Sequence, residues 1–335
     1  MLHAERQEAI KHVEGLADER FGDKKVVGLI QGTGWDVLNP HINIEGSFTH
    51  QEARLPGVSP ELPPGHGNEI GVGTITHDGE SAELIKIDKV HYYTGLSEPN
   101  AVESMYILLA GLRKHLKGCI ISSGAGTLKP PFPLNYTAAE LAEMEEREPG
   151  KVKWLQKQLD ERIQGFAWAA NGGRDPEYLN VGEVGVVHSV ARQFAGDARH
   201  SFVNAAQSFQ EICTGWIHTA NDAYYKFAQE QLKKFQEGYA KGVKYADTIG
   251  PDYEPPDFKR WLAMAGVSMV GMSMSRSLMA CGELGIPVVM YTLATNGMSA
   301  HDPFAIKDVG ADAGSVILPL GFNTIKRWPE LPVAA

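Results

Sequence analysis

Two short apolar runs constrain this chain most. VVGLIQ (26–31) and CIISS (119–123) show no polar–apolar alternation, so a strand at either place is buried on both faces. Each runs into a glycine-flanked small residue, GTG at 32–34 and GAG at 124–126, which predicts a glycine turn at each strand exit. Strands covered on both faces need helices above and below, and helical stretches alternate with them. Residues 2–20 place Ile10, Val13 and Leu16 on one helical side, and PNAVESMYILLAGLRKHL (99–116) opens with proline and reads as a helix. Further strands are expected at ELIKIDK (83–89), VGEVGVVHSV (181–190), VSMVG (267–271) and PVVMYTLAT (287–295), and further helices at 222–240, 257–265 and 274–281. The pattern predicts one α/β domain over residues 1–335.

Residues 131–180 differ in character. TAAE (137–140) has the form of a capping box, in which Thr137 accepts from the Glu140 amide while Glu140 reaches back. After Pro149-Gly150 a second helical stretch, KVKWLQKQLDERIQGFAWAA, carries apolar Trp154, Leu155, Leu159 and Ile163. This is the pattern of a helical insertion with a buried face, expected at the mouth of a site or at a subunit interface, with a helical pair that merely packs on its own subunit as the alternative.

At 335 residues and 43% hydrophobic composition the chain can bury a large core. A formal net charge of −10 argues against a general nucleic-acid binder, which needs basic stripes on its surface. Cys119, Cys213 and Cys281 are odd in number and far apart in sequence, forming no metal-spaced pair and no disulfide framework. The first 25 residues are charged and amphipathic rather than signal-like, and no apolar run approaches the ~20 residues that span a bilayer. The expectation is a cytoplasmic protein without membrane contact.

The turn GTGWDV invites a dinucleotide fingerprint, but Val37 stands at the third glycine, and Glu52 does not follow a recognisable second strand. An anion nest using backbone N–H groups and the Thr33 hydroxyl is one alternative, and a tight strand exit is another. More telling is that Thr33, Ser123-Gly124, Ser273 and Thr295-Asn296 all fall at expected strand ends, where ligands of α/β sheets gather. Lys89 and His91, two apart after another strand, would point the same way. Two cationic groups with hydroxyls and amides suit inorganic phosphate. Separately, GPDYE (250–254) sets Asp252, Tyr253 and Glu254 on a turn braced by Pro251, Pro255 and Pro256.

In order and spacing, these segments resemble the trimeric purine nucleoside phosphorylases. The matching segments are GTG (32–34), Pro64-Gly65-His66, KVHYYTG (89–95), SSGAGTLKP (122–130), VGEV (181–184), GPDYEP (250–255), VGMS (270–273) and Thr295-Asn296. The resemblance implies a central mixed β-sheet flanked by helices, carrying the helical insertion. It also implies phosphorolysis of inosine or guanosine to free base and ribose 1-phosphate, with inorganic phosphate as co-substrate, no metal and no other cofactor. By the same resemblance Thr33, Lys89, His91, the Gly124 amide and Ser273 hold phosphate, while Tyr93, Met272, Ser123 and His301 lie at the sugar. Tyr253, Glu254 and Asn296 take the base, Glu254 accepting from N1–H and the 2-amino group of a 6-oxopurine, and Asn296 donating to N7 or O6. His66 stands nearby as a gating residue, His91, Glu254 and Asn296 carry the catalytic roles, and the assembly is a homotrimer.

The chain departs from the family mainly around the sugar. Lys89 replaces an arginine, Ser123 an asparagine and Tyr253 a phenylalanine, and Ile217 stands where a neighbouring subunit lends a phenylalanine. A lysine offers a point charge where arginine offers a bidentate fork. These differences leave an enzyme for a 5′-modified nucleoside, a nucleosidase using water and a purine-binding paralogue as alternatives.

Overall fold

The computed structural model describes residues 3–56, 58, 67–89, 98–129, 134, 136–170, 178–192, 216–218, 222–236, 242–248, 254–297 and 303–329. The described strands form one ten-stranded mixed sheet: β1 (Val26–Gln31), β2 (Ile42–Thr49), β3 (Glu69–His77), β4 (Glu80–Asp88), β5 (Leu116–Thr127), β6 (Val184–Arg192), β7 (Trp216–His218), β8 (Gly242–Asp247), β9 (Met269–Gly271) and β10 (Val288–Asn296). As its unalternating sequence requires, β1 is buried at all six positions and pairs in parallel with β4 on one side and β5 on the other. Beyond β4 the sheet continues as an antiparallel meander through β3 to β2.

The other half closes on itself. β5 pairs in parallel with β10, β10 antiparallel with β6, β6 in parallel with β8 and β8 in parallel with β9. β9 then returns antiparallel to the end of β5, at Gly126↔Val270 and Thr127↔Met269. Around this circuit β5 and β10 run opposite to β6, β8 and β9, and Gly126 of β5 lies beside both Asn296 and Val270.

Helices cover both faces. On one side α1 (His3–Phe21) buries Val13, Ala17 and Phe21, spaced by four as a helix requires, and packs on α2 (Glu98–Gly111). Arg6 braces the pair, donating to both carboxylate oxygens of Glu103 at 2.5 and 3.2 Å. α3 (Ala138–Arg147), α4 (Lys151–Ala170) and α5 (Asp222–Leu232) follow, then α6 (Pro256–Met264) and α7 (Met274–Glu283). α8 (Pro303–Asp312) and α9 (Gly314–Lys326) complete the opposite layer, where Ile317, Leu320 and Phe322 are buried. No helix among the described residues is long and apolar enough to cross a membrane.

Two expectations are corrected and the turn at GTG is borne out. GAG (124–126) is not a turn but the continuation of β5, which runs to Thr127 because β10 pairs with it through Gly126 and β9 joins at the same glycine. GTG does leave β1 as a turn, with Gly34 at φ +83°, but a 3-10 turn at Asp36–His41 follows it. The α-helix of a dinucleotide-binding unit is missing at that place, so no helix N-terminus faces a pyrophosphate there. Finally, Trp154 is 53% exposed, with the Lys151 ammonium 5.1 Å from its ring, instead of joining the buried face of α4.

The capping box at Thr137 and Glu140 forms with both of its hydrogen bonds. α4 lies against α6, and Ile163 is buried in a cluster with Leu262, Ala263, Val267 and Val270. Ile163→Ala should therefore lower stability by about 2–4 kcal/mol, the range for emptying a buried aliphatic site. Urea unfolding would read it, and a change below half a kilocalorie would mean that α4 is not part of the core.

Candidate functional site

Lys89 follows β4 directly and is 4% exposed. Its ammonium donates to the Ser122 carbonyl at 2.5 Å and to Ser273 Oγ at 3.2 Å, so it spans from β5 to the second residue after β9. Space for it comes from Gly32, where an added Cβ would collide with the Ser122 carbonyl and lie 2.9 Å from Lys89 Nζ. Burial pulls the Lys89 pKa down to about 7; the charge of Asp247 opposes that shift and the charge of Arg276 adds to it. An amine poised there can be cationic beside an anion and neutral without one.

Ser123 stands next to this group. Its hydroxyl is 3.5 Å from that of Ser273 and donates to the Gly124 carbonyl at 3.0 Å. Ser273 is the residue before α7, and its side chain makes no capping bond to that helix. Asp247 instead accepts from the Ser275 amide at 2.6 Å, tying the end of β8 to the first turn of α7. Thr33, exposed after β1, brings its carbonyl within 2.9 Å of where a Cβ on Gly124 would sit. Only a residue without a side chain lets the end of β1 approach β5 so closely. Lys89, Ser123, Gly124, Ser273 and the Thr33 backbone thus lie together.

The groups expected at the base stand beside this cluster. Asn296 ends β10 opposite Gly126, its Oδ1 accepting from Thr295 Oγ1 at 3.0 Å and its Nδ2 donating to the Gly297 carbonyl at 3.2 Å. Glu254 is half-buried just before α6 and accepts a short hydrogen bond from the Thr248 hydroxyl. The Thr248 amide in turn donates to the Gly271 carbonyl at 2.8 Å. Met272 lies half-buried between Gly271 and Ser273. His66, His91, Tyr93, Tyr253 and His301 lie outside the described residues.

Several neighbours escape the sequence reading. Tyr245 is fully buried under Gly271, where an added Cβ would collide with the phenol oxygen. Burial raises its pKa, and its hydroxyl reaches toward Ser123 and the Ser273 backbone without meeting either at hydrogen-bonding geometry. Asp247, Thr248 and Arg276 are buried as well. The sole sequence signal for Asp247 and Thr248 is an acidic and a hydroxyl residue just ahead of Gly250 and Pro251. Among the described residues no group of three His, Cys, Asp or Glu side chains is arranged to hold a metal ion.

The fold has counterparts among solved structures. A Schistosoma purine nucleoside phosphorylase in complex with hypoxanthine superposes at TM-score 0.62, covering 97% of this chain and 98% of its own at 14% identity. The fold is that of a purine nucleoside phosphorylase. The same values hold for the Schistosoma enzyme with guanosine and for isoform 2 of the Schistosoma mansoni enzyme with cytosine and ribose-1-phosphate. No family model and no curated protein sequence matches the chain. The likeness is therefore one of architecture, spanning nearly the whole of both chains, and the chemistry is argued from this chain's own residues.

Proposed function

We propose that this protein cleaves 6-oxopurine nucleosides by phosphorolysis, yielding free base and ribose 1-phosphate. The observation that carries this reading is the buried Lys89 amine, held between Ser122 and Ser273 with the Ser123 hydroxyl and the Thr33–Gly124 crossing beside it. A site of that composition suits a small tetrahedral anion, and water as a nucleophile would need no such cage. Glu254 supplies the acceptor for N1–H and the 2-amino group of the base, and Asn296 a donor for the purine as negative charge develops on it.

The reaction proceeds by attack of a phosphate oxygen on C1′ as the bond to the purine nitrogen loosens. The sugar passes through an oxocarbenium-like state, and the electron pair of the glycosidic bond leaves on the base. Catalysis rests on holding an anion beneath a developing cation and on preorganised donors at the leaving group. In this reading phosphate is the co-substrate, no cofactor is required, and the working form is a cytoplasmic homotrimer, whose mass sedimentation would measure.

The test is base release from inosine, guanosine and a methylthio nucleoside, with and without phosphate. Release from inosine and guanosine that depends on phosphate is the expected result. Equal rates in phosphate-free buffer would make the protein a nucleosidase, and preference for the methylthio substrate would move the reading to a 5′-modified nucleoside.

A further inference from the structure

The geometry points to Thr248 as a positioning residue that sets the Glu254 carboxylate for base recognition; this rests on the reading above. Thr248 is 6% exposed and follows β8 directly. Its amide donates to the Gly271 carbonyl at 2.8 Å, and its hydroxyl lies 3.2 Å from that same oxygen. The hydroxyl also forms the short contact to Glu254 Oε1. It has one proton for two acceptors, and the ionised carboxylate is the stronger of them.

The amide bond fixes Thr248 on the end of β9, and the hydroxyl then carries that fixed position to the glutamate. Gly271 leads directly into Met272 and Ser273, and Ser273 accepts from Lys89. One side chain therefore sets the distance from the base acceptor to the anion cluster. A nucleoside joins base and sugar by a single bond, so phosphate and base must be presented at one fixed spacing for C1′ to meet its nucleophile. A carboxylate released from its tether would sample other positions and forfeit that alignment. Lys259, a buried amine of α6, also feels the Glu254 charge but is not hydrogen-bonded to it among the described contacts.

The test compares Thr248→Val, which keeps the shape and removes the donor, with Thr248→Ser, which keeps the donor. Hypoxanthine binding by calorimetry and steady-state kinetics with inosine are measured on the full chain, with melting temperature as a control. Valine should weaken hypoxanthine binding and lower kcat/KM about ten- to a hundredfold, with the apparent phosphate KM moving less than twofold. Serine should restore both to within about threefold of the unaltered protein. Valine binding hypoxanthine as tightly as threonine would overturn the assignment, as would an equal loss of base and phosphate affinity accompanied by a lower melting temperature. If the unaltered protein binds hypoxanthine but releases no base from inosine, phosphorolysis falls, and the assignment is decided by the calorimetry alone. No hypoxanthine binding by the unaltered protein would overturn both.

Discussion

Replacing Glu254 with alanine is expected to lower kcat/KM for inosine and guanosine by about 10²–10³-fold, the usual loss for one preorganised polar contact at a reacting group. The fold should survive, because Glu254 is only half-buried and Thr248 retains the Gly271 carbonyl as an alternative acceptor. Adenosine provides the contrast. Adenine presents a lone pair at N1, which a carboxylate repels, so the unaltered protein should discriminate strongly against it. In Glu254→Ala that discrimination should collapse, since both bases then lose any partner at N1. Rates with three nucleosides and a melting curve are sufficient. Unchanged selectivity in a folded variant would remove Glu254 from the site.

The second large effect concerns Lys89. Its pKa in the folded chain stands at about 7 through burial, well below the 10.5 of a free lysine. In the free protein it is cationic below about pH 7 and increasingly neutral above, so an anion that requires the ammonium binds with proton uptake. Sulfate is the clean probe because it does not itself titrate in this range. Its dissociation constant should rise roughly tenfold per pH unit above 7, and calorimetry in buffers of different ionisation heat should show protons taken up. Lys89→Arg should flatten the profile, since guanidinium stays charged. Lys89→Ala should raise the apparent phosphate KM by an order of magnitude or more. The sign for stability is separate. The unfolded chain binds the extra proton between about pH 7 and 10.5, so Lys89 favours the folded state increasingly as pH rises through that interval. A sulfate affinity independent of pH, with Lys89→Ala binding as well as the unaltered chain, would place the anion elsewhere.

Much of the fold is legible in the amino-acid sequence. The unalternating VVGLIQ reads correctly as a central strand because burial on both faces leaves no other composition, and Thr137 with Glu140 marks the start of α3 through local hydrogen bonding alone. The misses have equally physical causes. GAG looks like punctuation because glycine permits turns, but here the glycines exist so that β10 and the Thr33 backbone can approach β5. That requirement is set by chain segments distant in sequence and is invisible locally. β3 is a recoverable miss, since Asp78 and Gly79 form the two-residue link from it to the expected strand β4, with φ of +50° and +77°. An Asp-Gly pair between strand-like runs is a strong hairpin signal. β8 offers only six residues and a short alternation, and it gains its stability from β6 and β9 on either side.

The candidate site divides along the same line. Lys89, Ser123, Ser273 and Asn296 could be singled out because they fall at expected strand ends, where ligands of α/β sheets gather, although β5 in fact runs on past Ser123 to Thr127. The groups that orient them could not. Asp247 and Thr248 hold a helix amide and the Glu254 carboxylate, whose positions follow from the closed circuit of strands. Sequence alone does not reveal that circuit, since it depends on a few residue pairs between β5 and β9.

The central claim is that one phosphate is consumed for every base released. Phosphorus NMR of the protein with inosine and inorganic phosphate, followed alongside hypoxanthine absorbance, measures this directly. A new sugar-phosphate resonance should grow in step with hypoxanthine, one to one, with a matching loss of inorganic phosphate. Hypoxanthine appearing while the inorganic phosphate signal stays constant would contradict it.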